Sequence, residues 1–203
     1  MSRPVVLVDG LNIFTRHFVA NPTMSSDGTH VGGLVGFLKN IRYLCEKFNP
    51  ESVCIAWEGG GSARRRAVRR NYKDNRRPTK LNRFYEDIPD TYENRDNQLM
   101  SLIEFLKHMP VIQIYVPDCE GDDIIAHMAN NTFRSKKCMI ISSDKDLYQC
   151  ISERVSQWSP GRKKLMTPAA VLEEFGVLAS NFALTRAFVG DSSDGIVGVK
   201  GAG

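Results

Sequence analysis

Apolar residues occur in four short runs rich in β-branched side chains, and each run predicts a buried strand. The runs are Val5–Val8, Val53–Trp57, Val111–Val116 and Met139–Ile141. Continuous apolar strands are typical of a parallel sheet that is covered on both faces. Apolar residues at three- and four-residue spacing predict helices over Val31–Phe48 and Gln98–Met109.

Strands that alternate with helices predict an α/β fold with a central, mostly parallel sheet flanked by helices. The chain has 203 residues, 42% of them apolar, which suits a single globular domain over residues 1–203. Farther along the chain, Thr167 and Pro168 predict the start of a helix and Gly176 predicts its end.

The segment Gly59–Asn97 interrupts this alternation. It is polar and basic, contains Pro78 and Pro89, and shows little apolar periodicity. An insertion of this length in a compact domain is usually functional or disordered. We therefore expect a mobile basic element that lies over the edge of the sheet.

The charge of the chain is unevenly distributed. Its net charge is +4, but the stretch Ser62–Arg83 has ten basic residues and one acidic residue, so it carries +9 and the remainder carries −5. A solvated helix face is the usual explanation of a charge run. A dense run of a single sign in an acidic background instead favours a polyanionic partner.

The cysteines and the apolar runs indicate the compartment. The five cysteines are scattered, odd in number and without a C-x-x-C pair, which favours a reducing compartment, the cytoplasm, over a disulfide framework or a zinc site. No apolar run reaches the roughly 18–20 residues that cross a bilayer. The chain passes from Ser2 directly into a strand pattern, so we expect no signal peptide and no membrane partner.

Acidic residues follow each of the four predicted strands. They are Asp9, Glu58, the group Glu120, Asp122 and Asp123, and the pair Asp144 and Asp146. Because the carboxyl ends of parallel strands meet at one edge of a sheet, we expect these side chains to lie together. Any one of them has an ordinary explanation as a helix cap or loop residue, but the whole set does not.

Carboxylates brought together in this way repel one another, and divalent cations relieve the repulsion. A set of oxygen ligands without a His or Cys pattern suits Mg²⁺ or Mn²⁺. A further pair, Asp191 and Asp194, lies in a glycine-containing loop. Turn chemistry alone explains this loop, whereas two more ligands would complete a second metal site.

The spacing within the acidic groups makes two conditional predictions. If a helix begins at Glu120, then Glu120 and Asp123 share a face and Asp122 projects to a different side. If the segment of Asp144 and Asp146 is extended, both side chains point the same way.

Five motifs occur along the chain in a fixed order. They are Val8-Asp9-Gly10, Tyr72-Lys73-Asp74-Asn75-Arg76, Glu120-Gly121-Asp122-Asp123, the stretch Ser143–Gln149 and the stretch Val189–Gly201. In this order they resemble the FEN-like 5′ nucleases, which include the phage 5′-3′ exonucleases and the 5′ nuclease domain of bacterial DNA polymerase I. The resemblance runs from Val5 to Gly203. The resemblance implies a PIN/FEN-like fold and an enzyme of DNA replication and repair.

The resemblance also implies a two-metal phosphodiesterase with two Mg²⁺ ions, for which Mn²⁺ substitutes. In such an enzyme the first ion is held by Asp9, Glu58, Glu120 and Asp122. The second ion is surrounded by Asp123, Asp144, Asp146, Asp191 and Asp194. The chain departs from the family pattern at Glu58, where Asp is usual, at Gly121, where Ala is usual, and at Gly195, where Asn is usual.

The basic segment resembles the family's arch or helical gateway, here residues 59–97, which contacts single-stranded 5′ ends. By this resemblance Lys73 and Arg76 neutralise the scissile phosphate, and Tyr72 stacks on a terminal base; ordinary packing is the alternative for Tyr72. Further DNA contacts are expected from the remaining basic residues of the run and from the C-terminal glycine hairpin. These are Arg64, Arg65, Arg66, Arg69, Arg70, Arg77, Lys80, Gly198, Lys200 and Gly201.

Residues 179–203 resemble the start of the family's helix–three-turn–helix motif, in which K⁺ commonly occupies the hairpin. The second helix of that motif does not follow within the sequence. Three explanations stay open: the region was lost, another chain supplies it as a partner, or the chain is a fragment. We expect metal binding to be independent of that region and tight duplex binding to depend on it.

The sequence therefore predicts a divalent-metal-dependent 5′ nuclease that hydrolyses phosphodiester bonds of DNA at or near 5′ ends or 5′ flaps. RNA in RNA–DNA hybrids is a further candidate substrate. Three alternatives stay open: a catalytically impaired DNA-binding fragment, a PIN-type ribonuclease, and a hydrolase of small phosphoesters. The full acidic set argues against an impaired fragment. The Tyr-Lys-x-x-Arg segment argues against a PIN-type ribonuclease, and the basic insertion argues against a hydrolase of small phosphoesters.

Overall fold

The computed structural model describes residues 2–60, 62–68, 70, 92–191 and 195–201. Within these ranges six strands form one sheet in the order β3-β2-β1-β4-β5-β6. The strands are β1 Val5–Asp9, β2 Ser52–Trp57, β3 Ile112–Tyr115, β4 Cys138–Ile141, β5 Val155–Ser159 and β6 Lys164–Met166. The first five pair in parallel and β6 is antiparallel to β5. The predicted mostly parallel sheet is confirmed.

Helices cover both faces of the sheet. They are α1 Gly10–Ala20, α2 Gly32–Phe48, α3 Ser62–Val68, α4 Tyr92–Leu106, α5 Gly121–His127, α6 Pro168–Phe175 and α7 Phe182–Val189. A π-helical turn, Met128–Thr132, extends α5, and 3-10 turns lie at Asp146–Cys150 and Ala179–Asn181. A short hairpin of β7 Gly190–Asp191 and β8 Ile196–Val197 follows α7.

The alternation of side chains along β1 explains why that strand is apolar at every position. Val6 and Val8 pack into the core on the side of α1, α2 and α4, whereas Val5 and Leu7 pack into the core on the side of α5. A third apolar cluster, around Tyr148, packs α6 and α7 against the 3-10 turn that begins at Asp146. An apolar core therefore packs against each face of the sheet and holds the ends of its strands in place.

The ends of α6 follow the chemistry expected from the sequence. Thr167 accepts a hydrogen bond from the N–H of Ala170 at 3.3 Å, Pro168 is the first helical residue, and Gly176 ends the helix with φ of 69°. Strands β5 and β6 had not been predicted from the sequence. In β5 a polar residue, Gln157, is fully buried and donates hydrogen bonds to the carbonyls of Ser142 and Asp144, so the strand lacks a continuous apolar pattern.

The interrupting segment Gly59–Asn97 contains helix α3 and the first turns of helix α4. Its residues 71–91 lie outside the described ranges. The residues of α4 before Gln98 are exposed or partly exposed, so they show no apolar period. All five cysteines are free thiols. Among the described helices, none is both long and apolar enough to cross a membrane.

Candidate active site at the carboxyl edge of the sheet

The parallel register brings the ends of β1, β2 and β4 side by side. Asp9 is the last residue of β1 and pairs with Ala56 of β2, and Glu58 lies just beyond that strand. Val8 pairs with Ile141, the last residue of β4. The acidic residues that follow these strands therefore share one edge of the sheet, as the sequence predicted.

Asp9 lies at the centre of this edge. It is the N-cap of α1, and its Oδ1 accepts a hydrogen bond from the N–H of Asn12 at 3.2 Å. Its Oδ2 accepts a hydrogen bond from the hydroxyl of Ser142 at 2.8 Å. Burial raises the pKa of Asp9 to about 6; these two hydrogen bonds oppose the rise, and the charges of Asp144 and Asp122 add to it.

The loop after β4 is held by a chain of hydrogen bonds. The Oγ of Ser142 accepts from the N–H of Asp144 at 3.0 Å, and the Oδ1 of Asp144 accepts from the N–H of Asp146 at 2.9 Å. Asp146 begins a 3-10 turn. The segment is therefore not extended, so the condition under which Asp144 and Asp146 would point the same way is not met.

A second acidic group lies at the start of α5. Glu120 is the N-cap residue, and its N–H donates to Asp123 Oδ2 at 3.3 Å. Glu58 joins this group because its Oε2 accepts from the N–H of Gly121 at 3.1 Å. Burial, together with the charges of Asp123 and Glu120, raises the pKa of Asp122 to about 6, and the charge of Arg65 opposes the rise. A helix does begin at this point, which was the condition for Glu120 and Asp123 to share a face.

Arg65 of helix α3 neutralises part of the second group. Its Nη1 lies 2.7 Å from Oε2 of Glu120, and its Nη2 lies 2.8 Å from Oδ1 of Asp123. Because one guanidinium contacts both carboxylates, Glu120 and Asp123 face the same side, as their spacing predicted. The sequence had indicated Arg65 as a DNA contact and gave no signal for this ion pair.

Arg186 of helix α7 joins the third acidic group. Its Nε donates to Oδ1 of Asp146 at 3.2 Å, its Nη2 contacts Oδ2 of Asp191, and its Nη1 donates to the carbonyl of Gly190 at 3.3 Å. Burial raises the pKa of Asp146, and the charge of Asp144 raises it further. Sequence reasoning missed both Arg186 and Ser142, although Ser142 directly follows a strand and is fully buried.

The carboxylates share one edge without forming a closed ligand shell. Within the described ranges, no group of three or more His, Cys, Asp or Glu side chains is close enough together to hold a metal ion. The donor set nevertheless fits a hard divalent cation, because it consists of carboxylate oxygens. The raised pKa values of Asp9, Asp122 and Asp146 indicate where added positive charge would stabilise the ionised forms.

The predicted nucleic-acid contacts are only partly within the described residues. Arg66 and Arg70 are exposed, and Arg64 lies in α3. Lys200 is exposed, and Gly198 lies so close to the end of α7 that an added Cβ would be 2.2 Å from the carbonyl oxygen of Val189. Gly201 has φ of 85°. The candidates for nucleic-acid contact outside the described ranges are Tyr72, Lys73, Arg76, Arg69, Arg77 and Lys80. The predicted metal ligand Asp194 also lies outside them.

The chain is similar in sequence to known 5′-3′ exonucleases and DNA polymerases. Residues 4–176 match the sequence model of the family described as "5′-3′ exonuclease, N-terminal resolvase-like domain". The chain is 26% identical over 205 residues to a 5′-3′ exonuclease of Buchnera aphidicola, covering 100% of this chain and 67% of that protein. It is 31% identical over 201 residues to the thermostable DNA polymerase I of Thermus thermophilus, covering 98% of this chain and only 22% of the polymerase.

A solved structure supports the same fold. The flap endonuclease of bacteriophage T5, in a complex with DNA and metal ions, superposes with a TM-score of 0.78 and 20% sequence identity. The superposition covers 99% of this chain and 71% of the phage chain. At this identity the likeness establishes the fold, a mostly parallel six-stranded sheet flanked by helices.

Proposed function

The chain belongs to the 5′-3′ exonuclease family and is a nuclease, and we propose that it hydrolyses phosphodiester bonds of DNA at or near 5′ ends or 5′ flaps in a reaction that depends on divalent metal. One observation carries the proposal. Acidic residues from four separated parts of the chain meet at one edge of the sheet, and burial and mutual repulsion raise the pKa of both Asp9 and Asp122 to about 6. An edge of this kind attracts cations.

In this proposal the acidic edge holds two Mg²⁺ ions, with Mn²⁺ as a substitute. When bound, such ions lower the pKa of water and stabilise the charge on the leaving oxygen of an in-line displacement. The residues Asp9, Glu58, Glu120 and Asp122 would hold the first ion. The residues Asp123, Asp144, Asp146, Asp191 and Asp194 would surround the second.

The surrounding residues orient these ligands. The hydroxyl of Ser142 donates a hydrogen bond to one oxygen of Asp9 and accepts one from the N–H of Asp144. Ser142 therefore links the end of β1 to the loop after β4. Gln157 fixes the backbone of the same loop from the neighbouring strand. Hydrogen bonds of this kind set the direction of ligand lone pairs, and their loss commonly costs 10- to 100-fold in metal affinity or activity.

DNA is the proposed partner, and the phage relative's complex with DNA supports it. The basic segment of residues 59–97 would serve as an arch that contacts the 5′ strand. Within it Lys73 and Arg76 would neutralise the scissile phosphate and Tyr72 would stack on a base. The variant Lys73→Ala is therefore expected to lower the cleavage rate more than the affinity for metal. Loss of metal binding with an unchanged rate per bound metal would contradict this role.

The other basic residues and the C-terminal hairpin extend the proposed DNA surface. Residues 179–203 would form the start of a helix–hairpin DNA-binding element, with K⁺ in the hairpin. We also propose RNA–DNA hybrids as substrates and a further polypeptide as a source of additional duplex contacts. The chain as a whole would then be one nuclease domain over residues 1–203.

Cleavage of a 5′-labelled flap DNA tests the proposal. The wild-type protein is assayed with Mg²⁺ and with EDTA. The variants Asp144→Ala and Glu46→Ala are assayed under the same conditions. Glu46 is a matched control because it is an exposed acid on α2, paired with Arg42 away from the edge. We expect cutting that requires Mg²⁺ and Asp144 and is unaffected by Glu46→Ala.

Two further outcomes are informative. Cleavage that persists in EDTA or in Asp144→Ala would contradict a metal-dependent site at this edge. Single-stranded RNA, an RNA–DNA hybrid and nucleoside monophosphates are assayed in parallel. A preference for RNA would favour a PIN-type ribonuclease, and turnover of monophosphates would favour a small-phosphoester hydrolase.

A further inference from the structure

Arg65 contacts the acidic edge through both terminal nitrogens of its guanidinium. Nη2 lies 2.8 Å from Oδ1 of Asp123, and Nη1 lies 3.1 Å from Oδ2 of the same carboxylate. Nη1 also lies 2.7 Å from Oε2 of Glu120. Both oxygens of Asp123 and one of Glu120 therefore already have a cationic partner, and both residues are proposed metal ligands.

The burial of these groups makes the contact important for the metal-free protein. The side chain of Glu120 is 3% exposed, and an ionised carboxylate at that depth needs a compensating charge. Arg65 supplies that charge from helix α3, an element 55 positions earlier in the chain than Glu120. The side chain of Arg65 is itself 36% exposed, so its guanidinium has a direct route back to water.

A divalent cation and a guanidinium seek the same carboxylate oxygens. They cannot both occupy the short contacts that Arg65 makes to Glu120 and Asp123, because like charges would then lie within a few ångströms of each other. When two ligands compete for one state of a protein, each weakens the apparent binding of the other by the same factor. Occupancy by metal and docking of α3 are therefore opposed.

We infer that Arg65 is a displaceable counter-cation, which closes the acidic edge in the metal-free protein and releases helix α3 when divalent cations bind Glu120 and Asp123. The inference rests on the proposed metal dependence. It adds a regulatory link between the metal site and the beginning of the basic segment. Metal loading would free α3, together with the exposed Arg66 and Arg70, to contact a nucleic acid.

Arg186 provides an internal contrast. It contacts Asp146 and Asp191 through one oxygen each, and its third contact is to the backbone carbonyl of Gly190 in the adjoining hairpin. The position of Arg186 is thus tied to the local backbone of the hairpin, whereas Arg65 covers both carboxylate oxygens of Asp123. Arg65 is the arginine whose removal should strengthen metal binding.

Calorimetric titration of the metal-free protein with Mn²⁺ tests the inference. It is done at a pH well above the pKa of Asp122, which is about 6, because the charge of Arg65 lowers that pKa and its loss would otherwise leave Asp122 partly protonated. The variants are Arg65→Met, Arg65→Lys and, as a control, Arg42→Met, which removes an arginine from an exposed ion pair on α2. If Arg65 closes the edge for about 90% of the time, Arg65→Met should lower the apparent Kd about tenfold. Arg65→Lys should give a smaller change, because an ammonium group lacks the fork geometry. Arg42→Met should match the wild type.

Hydrogen exchange of the amides in residues 62–68 gives a second measurement that does not depend on catalysis. We expect Mn²⁺ to accelerate exchange in the wild type, and we expect Arg65→Met to exchange fast with and without the ion. Circular dichroism establishes that each variant is folded.

The outcomes separate this inference from the proposed function. If Arg65→Met binds Mn²⁺ no more tightly than the wild type does, the inference is overturned and the proposed metal dependence is left intact. Unchanged or slower exchange of α3 on addition of metal would also overturn it. Failure of every folded variant to bind Mn²⁺ would overturn both.

Discussion

The hydroxyl of Ser142 donates to Oδ2 of Asp9 at 2.8 Å, and this hydrogen bond joins residues 133 positions apart. The same oxygen of Ser142 accepts the N–H of Asp144 at 3.0 Å. One buried side chain thus links the end of β1 to the acidic loop after β4. The pairing of β1 with β4 places the two halves of the acidic edge side by side, and this serine orients their carboxylate groups.

The variant Ser142→Ala should move the acid limb of the cleavage rate to higher pH. The hydrogen bond lowers the pKa of Asp9, so its loss raises that pKa further above its present value of about 6. A carboxylate must be ionised to hold a metal ion, and activity would therefore fail at a higher pH than in the wild type. The control is Ser143→Ala, since Ser143 is exposed. Identical pH–rate profiles for the two variants would contradict the role of Ser142.

The variant Asp9→Asn should stabilise the metal-free protein near neutral pH. The pKa of Asp9 is about 6 in the folded protein against 3.8 as its ordinary value. The folded state therefore binds the proton more tightly, and ionisation costs folding stability as pH rises from about 4 to above 6. Two pKa units correspond to on the order of 3 kcal/mol.

Urea unfolding in EDTA at several pH values measures this effect. The gain from Asp9→Asn should be largest above pH 7 and should shrink as pH falls through 6 towards 4. A gain that is independent of pH would show that the ionisation of Asp9 is not its origin.

The variant Arg186→Met should weaken metal binding and lower activity, by about 10- to 100-fold for the loss of an orienting partner. Arg186 holds Asp146 and Asp191 together, and its charge lowers the pKa of Asp146, so its removal also makes Asp146 harder to ionise. Arg162→Met is the matched control, because Arg162 forms a comparable two-pronged contact with Glu174 outside the acidic edge. Equal effects of the two variants on Mn²⁺ affinity would argue against a local role.

The variant Gly121→Ala should stabilise the fold by up to about 1 kcal/mol, because alanine restricts the unfolded chain and favours a helix. Gly121 does not have a positive φ, and an added Cβ would meet its nearest neighbour, Oε2 of Glu58, at an ordinary 3.6 Å. In Gly36→Ala the Cβ would lie 2.7 Å from the ring of His17, so that variant should be destabilised. Thermal unfolding of the two variants would show shifts of opposite sign. A loss of stability in Gly121→Ala would refute the prediction.

Local patterns carried most of the information about the fold. The strands around Val6, Val53 and Ile140 could be predicted because residues buried on both faces are apolar at every position. Strand β5 could not be predicted, because the buried Gln157 breaks that pattern and is stabilised by partners in another loop. Helix α3 was missed for a similar reason: its exposed residues have no apolar period.

Strand patterns were enough to predict that the acids following β1, β2 and β4 share one edge, because parallel strands place their carboxyl ends together whatever the details of packing. The cation that neutralises them is set by contacts between elements and could not be predicted from those patterns. Arg65 belongs to a basic run and was predicted to contact DNA, yet its guanidinium lies on Glu120 and Asp123. This ion pair depends on how closely α3 approaches the start of α5. Packing between elements distant in sequence sets that approach, so the local pattern of neither helix predicts it.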